Sequence, residues 1–354
     1  MTARDQRVAL VGYGLAGRLF HAPVLSAVDG LVLAAVVTSS PERAAQVRAD
    51  WPEAEVLPDI EALWRRADEF DVVVIATPNR THVSLALAAI GAGLPVVVDK
   101  PLARTADEGA VVVRAAEAAG VLLTVFHNRR WDADLRTAQR LLADGVLGEP
   151  LRMETRFERW RPEPRGGWRE SPDPEEGGGL LLDLGSHQVD QARYLLGPVR
   201  SVYAEVDMRR PGAAVEDDVM LALTHDSGAR STHWLSATAA LPGPRLRLLG
   251  SRAAYVVTGL DGQEDALRAG GRPGPGWGEV PEADWGLLGS VDEAARTPSM
   301  PGDYRLFYRE LALALRHEGP PPVKPIEALA VLVVLDAARV SAQSGQVESL
   351  HGRG

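Results

Sequence analysis

The 354-residue sequence contains no cysteine, which excludes disulfides and thiolate chemistry. It has no surplus of positive charge: the net charge is −10, so a broad basic footprint for nucleic acid is not expected. No stretch reaches the roughly 18 uninterrupted apolar residues that suggest a membrane span. The early run VALVGYGLAG is short and glycine-interrupted and follows mixed charge, so it does not read as an export signal. Neither a nucleic acid nor a membrane is therefore an expected partner, and the cytoplasm is the expected location. Lysine is almost missing as well. Of 38 basic residues only Lys100 and Lys324 are not arginine.

What is present, 45% hydrophobic and 24% charged residues, suits a globular chain long enough for two domains. The first third alternates short β-type runs with helical spacing. VALV (8–11), LVLAAVV (31–37), a weaker AEVL (54–57), DVVVIAT (71–77), LPVVVD (94–99) and VLLTVF (121–126) read as strands. THVSLALAAIGAG (81–93) and ADEGAVVVRAAEAAG (106–120) read as helices closing in glycine. Uniformly apolar strands alternating with helices predict an α/β, doubly wound parallel sheet. From about residue 124 the runs LRMETRFERW, VRSVYAEVD, DVMLALTH, ARSTHWLS and AAYVVTG predict an α+β domain on a large, open, mainly antiparallel sheet. One helical stretch, 180–197, interrupts it. Residues 259–300 read as a long ordered loop with short helices, and 327–345 as a final helix. The expected domains are 1–124 and 125–354, with the final helix packing back near the first.

VALVGYGLAGRLFHAP places Gly12, Gly14 and Gly17 after the first strand and at the start of a helix. In a βαβ setting this is the arrangement that admits a dinucleotide pyrophosphate. The loop residues Tyr13, Leu15 and Ala16 are counted with it. A NAD site usually places a carboxylate at the tip of the second strand. Here that tip reads Val37-Thr38-Ser39-Ser40-Pro41-Glu42-Arg43. Thr38, Ser39, Ser40 and Arg43 offer hydroxyls and a cation to a 2′-phosphate, so NADP is the expected cofactor and NAD the alternative. The other reading is that Ser39 and Ser40 cap the helix beginning near Pro41.

Ligands of such sheets lie beyond the carboxyl ends of the strands. Lys100 stands there, after LPVVVD and before Pro101. Lysine can lose a proton when desolvated, whereas arginine effectively cannot. The position therefore suits an amine beside a reacting oxygen better than a structural ion pair. Farther on, Asp183 and His187 are four apart and would share a helix face. Gly177, Gly178 and Gly179 would let the preceding backbone pass close to a ligand. Histidine is suited to proton exchange near neutral pH, although an isolated pair of this kind can be an ordinary surface contact.

GYGLAG, Asp99-Lys100-Pro101 and Asp183-Leu184-Gly185-Ser186-His187 together resemble the Gfo/Idh/MocA oxidoreductase family, over essentially the whole chain. That family has a Rossmann glycine loop, a Glu-Lys-Pro motif and a later Asp/His motif; Asp99 here replaces the usual glutamate. GRLFHAP, FHNRRWDADL and GLDGQEDALRAG look most like its NADP-dependent scyllo-inositol 2-dehydrogenase branch. The resemblance implies hydride transfer between a nicotinamide and a secondary alcohol of a sugar, polyol or cyclitol. His187 would take the hydroxyl proton, Lys100 would donate to that oxygen, and Asp183 would orient His187 or bind a neighbouring hydroxyl. Thr77, Pro78, Asn79, His82, Asp99, Lys100, Pro101 and Asn128 would serve the cofactor. For His82, capping or solvent exposure is as good a reading. Arg129, Arg130 and Trp131 would line a polyol site or form a salt-bridged hinge. Trp160 and Trp168 would cover the substrate or be core, with Trp168 placed in the substrate set. His225 and His317 read as turn and surface residues. No metal ligand set is read. Homodimers or homotetramers through the second domain's sheet are the expected assembly. The rival readings are an NAD-dependent glycosidase of the same fold and a non-catalytic sugar or cofactor sensor.

Overall fold

In the computed structural model, which describes residues 4–350, the first part of the chain alternates strand and helix. The expected domain limits at 1 and 354 lie outside the described residues. The order begins β1 (Gln6–Val11), a π-helical segment (Ala16–His21) running into α1 (Ala22–Leu25), β2 (Leu31–Val37), α2 (Pro41–Asp50) and β3 (Glu55–Leu57). Then come α3 (Ile60–Trp64), β4 (Val72–Ile75), α4 (His82–Gly91), β5 (Val96–Asp99), α5 (Ala106–Ala119) and β6 (Leu123–Phe126). The middle of the chain supplies α6 (Ala133–Ala143), β7 (Pro150–Glu158), α7 (Leu180–Asp183), α8 (Gly185–Leu196), β8 (Val199–Asp207) and β9 (Asp218–His225). It continues with β10 (Arg230–Ser236), β11 (Leu246–Gly250), β12 (Ala254–Val257) and α9 (Gln263–Arg268). The last elements are β13 (Leu287–Gly289), β14 (Ala295–Arg296), α10 (Arg305–Leu315), α11 (Pro325–Ser344) and β15 (Glu348–Ser349).

Two compact units result, and neither is a single stretch. The first runs up to Asn128 and takes in Gln263–Pro275 and Tyr304–Leu329; the second holds Arg129–Gly262, Gly276–Asp303 and the chain from Ala330 on. In the first unit six parallel strands lie in the order β3-β2-β1-β4-β5-β6. Val8–Leu10, Val72–Ile75 and Val96–Val98 are all fully buried, because helices cover both faces and leave no polar side for the strands to show. Helix limits follow local chemistry. Thr105 accepts the N–H of Glu108 to cap α5, and Gly120 closes it in the left-handed conformation at φ 64°. The late segment is tied in by Thr124 of β6, whose hydroxyl donates to Val323 O at 2.8 Å and accepts from Val323 N at 3.2 Å.

The second unit is built on nine strands in the order β14-β13-β12-β11-β7-β10-β9-β8-β15. Every neighbouring pair is antiparallel except β7 with β10. Strand β9 alternates, with Val219, Leu221, Leu223 and His225 buried and the residues between them half-exposed. One face is thus covered and the other open. Helices α7, α8 and α11 cover it: Gly185 packs where a Cβ would meet Leu181, Leu235 and Leu335.

Three expectations are corrected. The stretch 180–197 is not one helix; α7 ends at Asp183, and α8 starts at Gly185 after Leu184 turns the chain. Region 259–300 contains two short strands, β13 and β14, which extend the sheet: β13 pairs antiparallel with β12, and β14 with β13. His225 is no surface residue but fully buried, whereas His317 does lie exposed in a turn at φ 59°.

His225 belongs to a buried chain of hydrogen bonds. Its Nδ1 lies 2.9 Å from Gly197 O and its Nε2 2.9 Å from Ser231 Oγ. Ser231 Oγ lies 2.9 Å from His233 Nε2, and His233 Nδ1 lies 2.6 Å from Thr155 Oγ1. The carbonyl can only accept, so His225 carries its proton on Nδ1 and takes one from Ser231 at Nε2. Ser231 must then accept from His233 Nε2–H, and Thr155 donates to His233 Nδ1. Every link is satisfied only while both rings are neutral. Burial accordingly holds both histidine pKa values below the ordinary range, His233 at about 3.

Unfolded histidine titrates near 6.5. The stabilisation is therefore complete above that value and is lost as pH falls toward 3. From His233 alone, the unfolding free energy is expected to drop by about 2 kcal/mol between pH 7 and pH 5. Urea titrations at the two pH values check this, with His233→Asn losing that share of the pH dependence. Equal stability of the natural protein at both pH values would refute it.

Candidate functional site

The order 3-2-1-4-5-6 reverses direction next to β1, and such a switch point is where a parallel sheet opens a crevice beyond its carboxyl ends. The glycine loop follows β1 there. Gly12 is at φ 95°, and a Cβ on it would approach Ala76 O to 2.7 Å and Thr77 Cγ2 to 3.0 Å. A Cβ on Gly17 would overlap the Gly12 carbonyl, whereas one on Gly14 would meet nothing within 4 Å. The first and third glycines thus serve packing, and the second faces open space that a pyrophosphate can occupy. Leu15 is exposed and Ala16 half-buried. Tyr13 is buried; its hydroxyl donates to Asp50 Oδ2 and accepts from Trp51 Nε1–H, each at 2.9 Å. Burial raises its pKa further above the usual tyrosine value, so the loop is clamped by a neutral hydroxyl.

At the tip of β2 no carboxylate follows Val37. Thr38 is buried, and its Oγ1 accepts Ser40 N–H at 3.3 Å. Ser40 Oγ accepts Arg43 N–H at 3.3 Å and so caps α2. Ser39 and the Arg43 side chain are exposed.

The tips of β4 and β5 are joined. His82, fully buried, points Nε2 at Thr77 O (2.9 Å) and Nδ1 at Pro101 O (2.8 Å). Solvent exposure is thereby excluded for it, and burial is the main cause holding its pKa below the usual value. Thr81 Oγ1 lies 2.7 Å from Thr77 Oγ1 and donates to Pro78 O at 2.8 Å. Pro78 opens this turn and Asn79 is buried in it. On β5, Asp99 Oδ1 accepts the backbone N–H of Lys100 at 2.9 Å. Lys100 is half-buried and its peptide bond to Pro101 is cis. Asn128, buried, closes the first unit's leading segment. Sequence reasoning missed His21, whose ring faces Asp99 with Nε2 3.7 Å from Oδ1. Its signal was a histidine set in an apolar stretch, LFHAPVL. Tyr308, against His21, left no such signal.

The second unit holds the other candidates. His187 is 6% exposed in α8. Asp183 closes α7 and faces Arg169 Nε at 3.7 Å. Gly178 and Gly179 make close approaches, but to the protein itself: a Cβ on Gly178 would press on the carbonyls of Arg169 and Ser171, and one on Gly179 would overlap the Glu216 carboxylate. At these two glycines the missing side chain makes room for the protein's own groups. Arg129 is buried, 3.2 Å from Asp132 and over the Phe157 ring. Arg130 is buried too and grips Asp190 through two hydrogen bonds of 2.9 and 2.7 Å. Trp131 is buried beside them, Trp168 is half-exposed and stacked under Arg169, and Trp160 is 59% exposed.

A switch-point glycine loop with one glycine facing open space defines a dinucleotide-binding unit of the kind found in oxidoreductases. Comparisons agree. Residues 6–127 match the family described as "Oxidoreductase family, NAD-binding Rossmann fold", and residues 135–256 match the "GFO/IDH/MocA C-terminal domain". The scyllo-inositol 2-dehydrogenase (NADP(+)) IolW of Bacillus subtilis is 36% identical over 95% of this chain and 94% of its own. The oxidoreductase YdgJ of Escherichia coli is 38% identical over 95% of this chain and 96% of its own. The solved structure of the oxidoreductase yvaA from Bacillus subtilis superposes with a TM-score of 0.92 at 33% identity, over 99% of this chain and 100% of that one. The chain belongs to the Gfo/Idh/MocA oxidoreductase family. It is an NAD(P)-binding dehydrogenase that acts on CH–OH groups. Among the described residues no helix is long and apolar enough to cross a membrane.

The glycine geometry separates folding from binding. Gly14→Val is expected to keep its melting temperature within a few degrees while weakening NAD(P) binding at least tenfold, since its side chain enters only the ligand's space. Gly17→Ala is expected to lower the melting temperature, since its Cβ meets the Gly12 carbonyl. Thermal melts and fluorescence titration with NADPH check the pair; equal destabilisation by both would overturn the assignment.

Proposed function

We propose that this enzyme is an NADP-preferring dehydrogenase oxidising a secondary alcohol of a sugar, polyol or cyclitol. The observation that carries the reading is Lys100, one of two lysines in the chain, held at the carboxyl end of β5 by the Asp99–Pro101 turn. The substrate class is supported by IolW, whose name makes it a scyllo-inositol 2-dehydrogenase using NADP(+).

When bound, the nicotinamide supplies the hydride acceptor. The chain's own residues do the rest. Gly12, Gly14 and Gly17, with Tyr13 clamping the loop, would hold the pyrophosphate. Ser39, Ser40 and Arg43 would receive a 2′-phosphate, with no carboxylate at the β2 tip to repel it. Lys100 donates a hydrogen bond to the reacting oxygen, and His187 takes its proton. Asp183, whose side chain is 28% exposed, accepts from a neighbouring substrate hydroxyl. The buried pairs of Arg129 with Asp132 and Arg130 with Asp190 brace the start of the second unit; Trp131 and Trp168 complete the substrate wall. Copies associate through the open face of the second unit's sheet.

Screening a panel of inositols, polyols and sugars with NADP and NAD tests the reading, with accumulation of reduced cofactor as the signal. Lys100→Arg keeps a cation but not a titratable amine. It is expected to lower kcat by on the order of 10² to 10⁴ with cofactor affinity largely kept, as is Lys100→Met. Tighter binding of NAD than of NADP would overturn the cofactor assignment, and near-natural kcat in the arginine variant would overturn the role of Lys100.

A further inference from the structure

Beneath the Asp99–Lys100 turn lie two side chains that the proposed reaction does not use. His21 ends the π-helical segment and Tyr308 lies in α10; both are fully buried. His21 Nδ1 is 2.6 Å from the Tyr308 hydroxyl, and its Nε2 is 3.7 Å from Oδ1 of Asp99, whose side chain is 14% exposed. The same Oδ1 accepts the N–H of Lys100. Aromatic packing fixes both rings: Phe126 lies 4.3 Å from His21 and 5.7 Å from Tyr308, and Phe307 lies 5.2 Å from Tyr308.

The hydrogen positions follow from what each partner can do. An ionised carboxylate only accepts, so an Nε2 lone pair aimed at it would be repelled; the hydrogen sits on Nε2. Nδ1 of a neutral ring then accepts, and Tyr308 donates to it. Burial, with the Asp99 charge, holds the Tyr308 pKa well above the usual value, so that donor keeps its proton. The distance of 3.7 Å is longer than a formed hydrogen bond, so the contact is an N–H dipole directed at the carboxylate.

We propose that His21, backed by Tyr308, is a positioning residue for the dehydrogenase reaction: it fixes the Asp99 carboxylate and, through it, the turn that presents Lys100. The proposal rests on Lys100 acting in that reaction. The groups facing Asp99 come from three elements: His21 from the π-helical segment, Lys100 from its own turn and His82 from α4. Burial alone would raise the Asp99 pKa, and His21, followed by Lys100 and His82, brings it below the usual value. Loss of His21 therefore moves it up. The ionised form is then lost at higher pH, and the acid limb of kcat shifts the same way.

The test uses the full chain. His21→Leu removes the donor, His21→Gln returns an N–H close to the Nε2 position, and Tyr308→Phe removes only the hydroxyl that fixes the tautomer. Carbon-13 NMR of Asp99 in the cofactor-free protein gives its titration midpoint independently of activity. In His21→Leu the midpoint is expected to rise by roughly one unit, and kcat to fall on the order of tenfold with the alcohol KM nearly unchanged. His21→Gln should regain most of both, and Tyr308→Phe should move both in the same direction by less. If His21→Leu does not fold, Tyr308→Phe carries the test. An Asp99 midpoint that stays put in every folded variant, or a glutamine variant as impaired as the leucine one, overturns the proposal. A shifted midpoint in an enzyme whose Lys100→Arg variant turns over normally would instead sink the reading of Lys100.

Discussion

A side chain at residue 12 would strike the carbonyl of Ala76, and one at residue 17 would strike that of residue 12. The site in the first unit depends on this meeting of main chain with main chain. It draws the end of β1 against the end of β4 and turns the following helix back onto the loop. Thr77, brought alongside Gly12, then offers its carbonyl to His82, and the same imidazole reaches Pro101. One close backbone contact is thus passed through a single buried ring to the turn that carries Lys100. Side chains placed on this scaffold inherit positions that they do not themselves determine.

The parallel sheet was legible because burial on both faces writes a strand as an unbroken apolar run, and LVLAAVV needed no correction at either end. The glycine loop was legible because its spacing and its context agreed. Local devices were read well too: Gly120 and Gly345 end helices at positive φ as expected. Long-range relations were not. His225 ends a strand and precedes a tight turn, so its local sequence argues for solvent; only the register of β9 with β10 sets it beside Ser231 and His233. Gly178 and Gly179 announce a close approach without saying to what, and the answer lies at Arg169, Ser171 and Glu216. The turn at Leu184 left no mark, since leucine suits a helix. Nor could any local pattern assign Gln263–Pro275 and Tyr304–Leu329 to the first unit.

The choice of cation makes sense in these terms. Arginine serves wherever a planar fork can meet a carboxylate or lie on a ring. Arg130 does both, with Asp190 and Tyr194, and buried Arg210 bonds Asp217 and Glu170. Arg272 lies over Trp51 while donating to Asp50 O. Such positions exploit a charge that is never given up. Lys100 differs in kind, a compact donor at a strand tip.

The discontinuity of the first unit bears on the order of events at the ribosome. Thr124 waits for Val323, and His21 for Tyr308. Translation at about 5–20 residues per second puts roughly 10 to 40 s between the two halves of the Thr124 contact. Throughout that interval the hydroxyl of Thr124 lacks its partner, and Phe126 lacks the rings of Phe307 and Tyr308 that pack on it. The unit that begins first cannot be finished until most of the second has left the tunnel. Completion of the dinucleotide-binding unit is therefore a late event in synthesis.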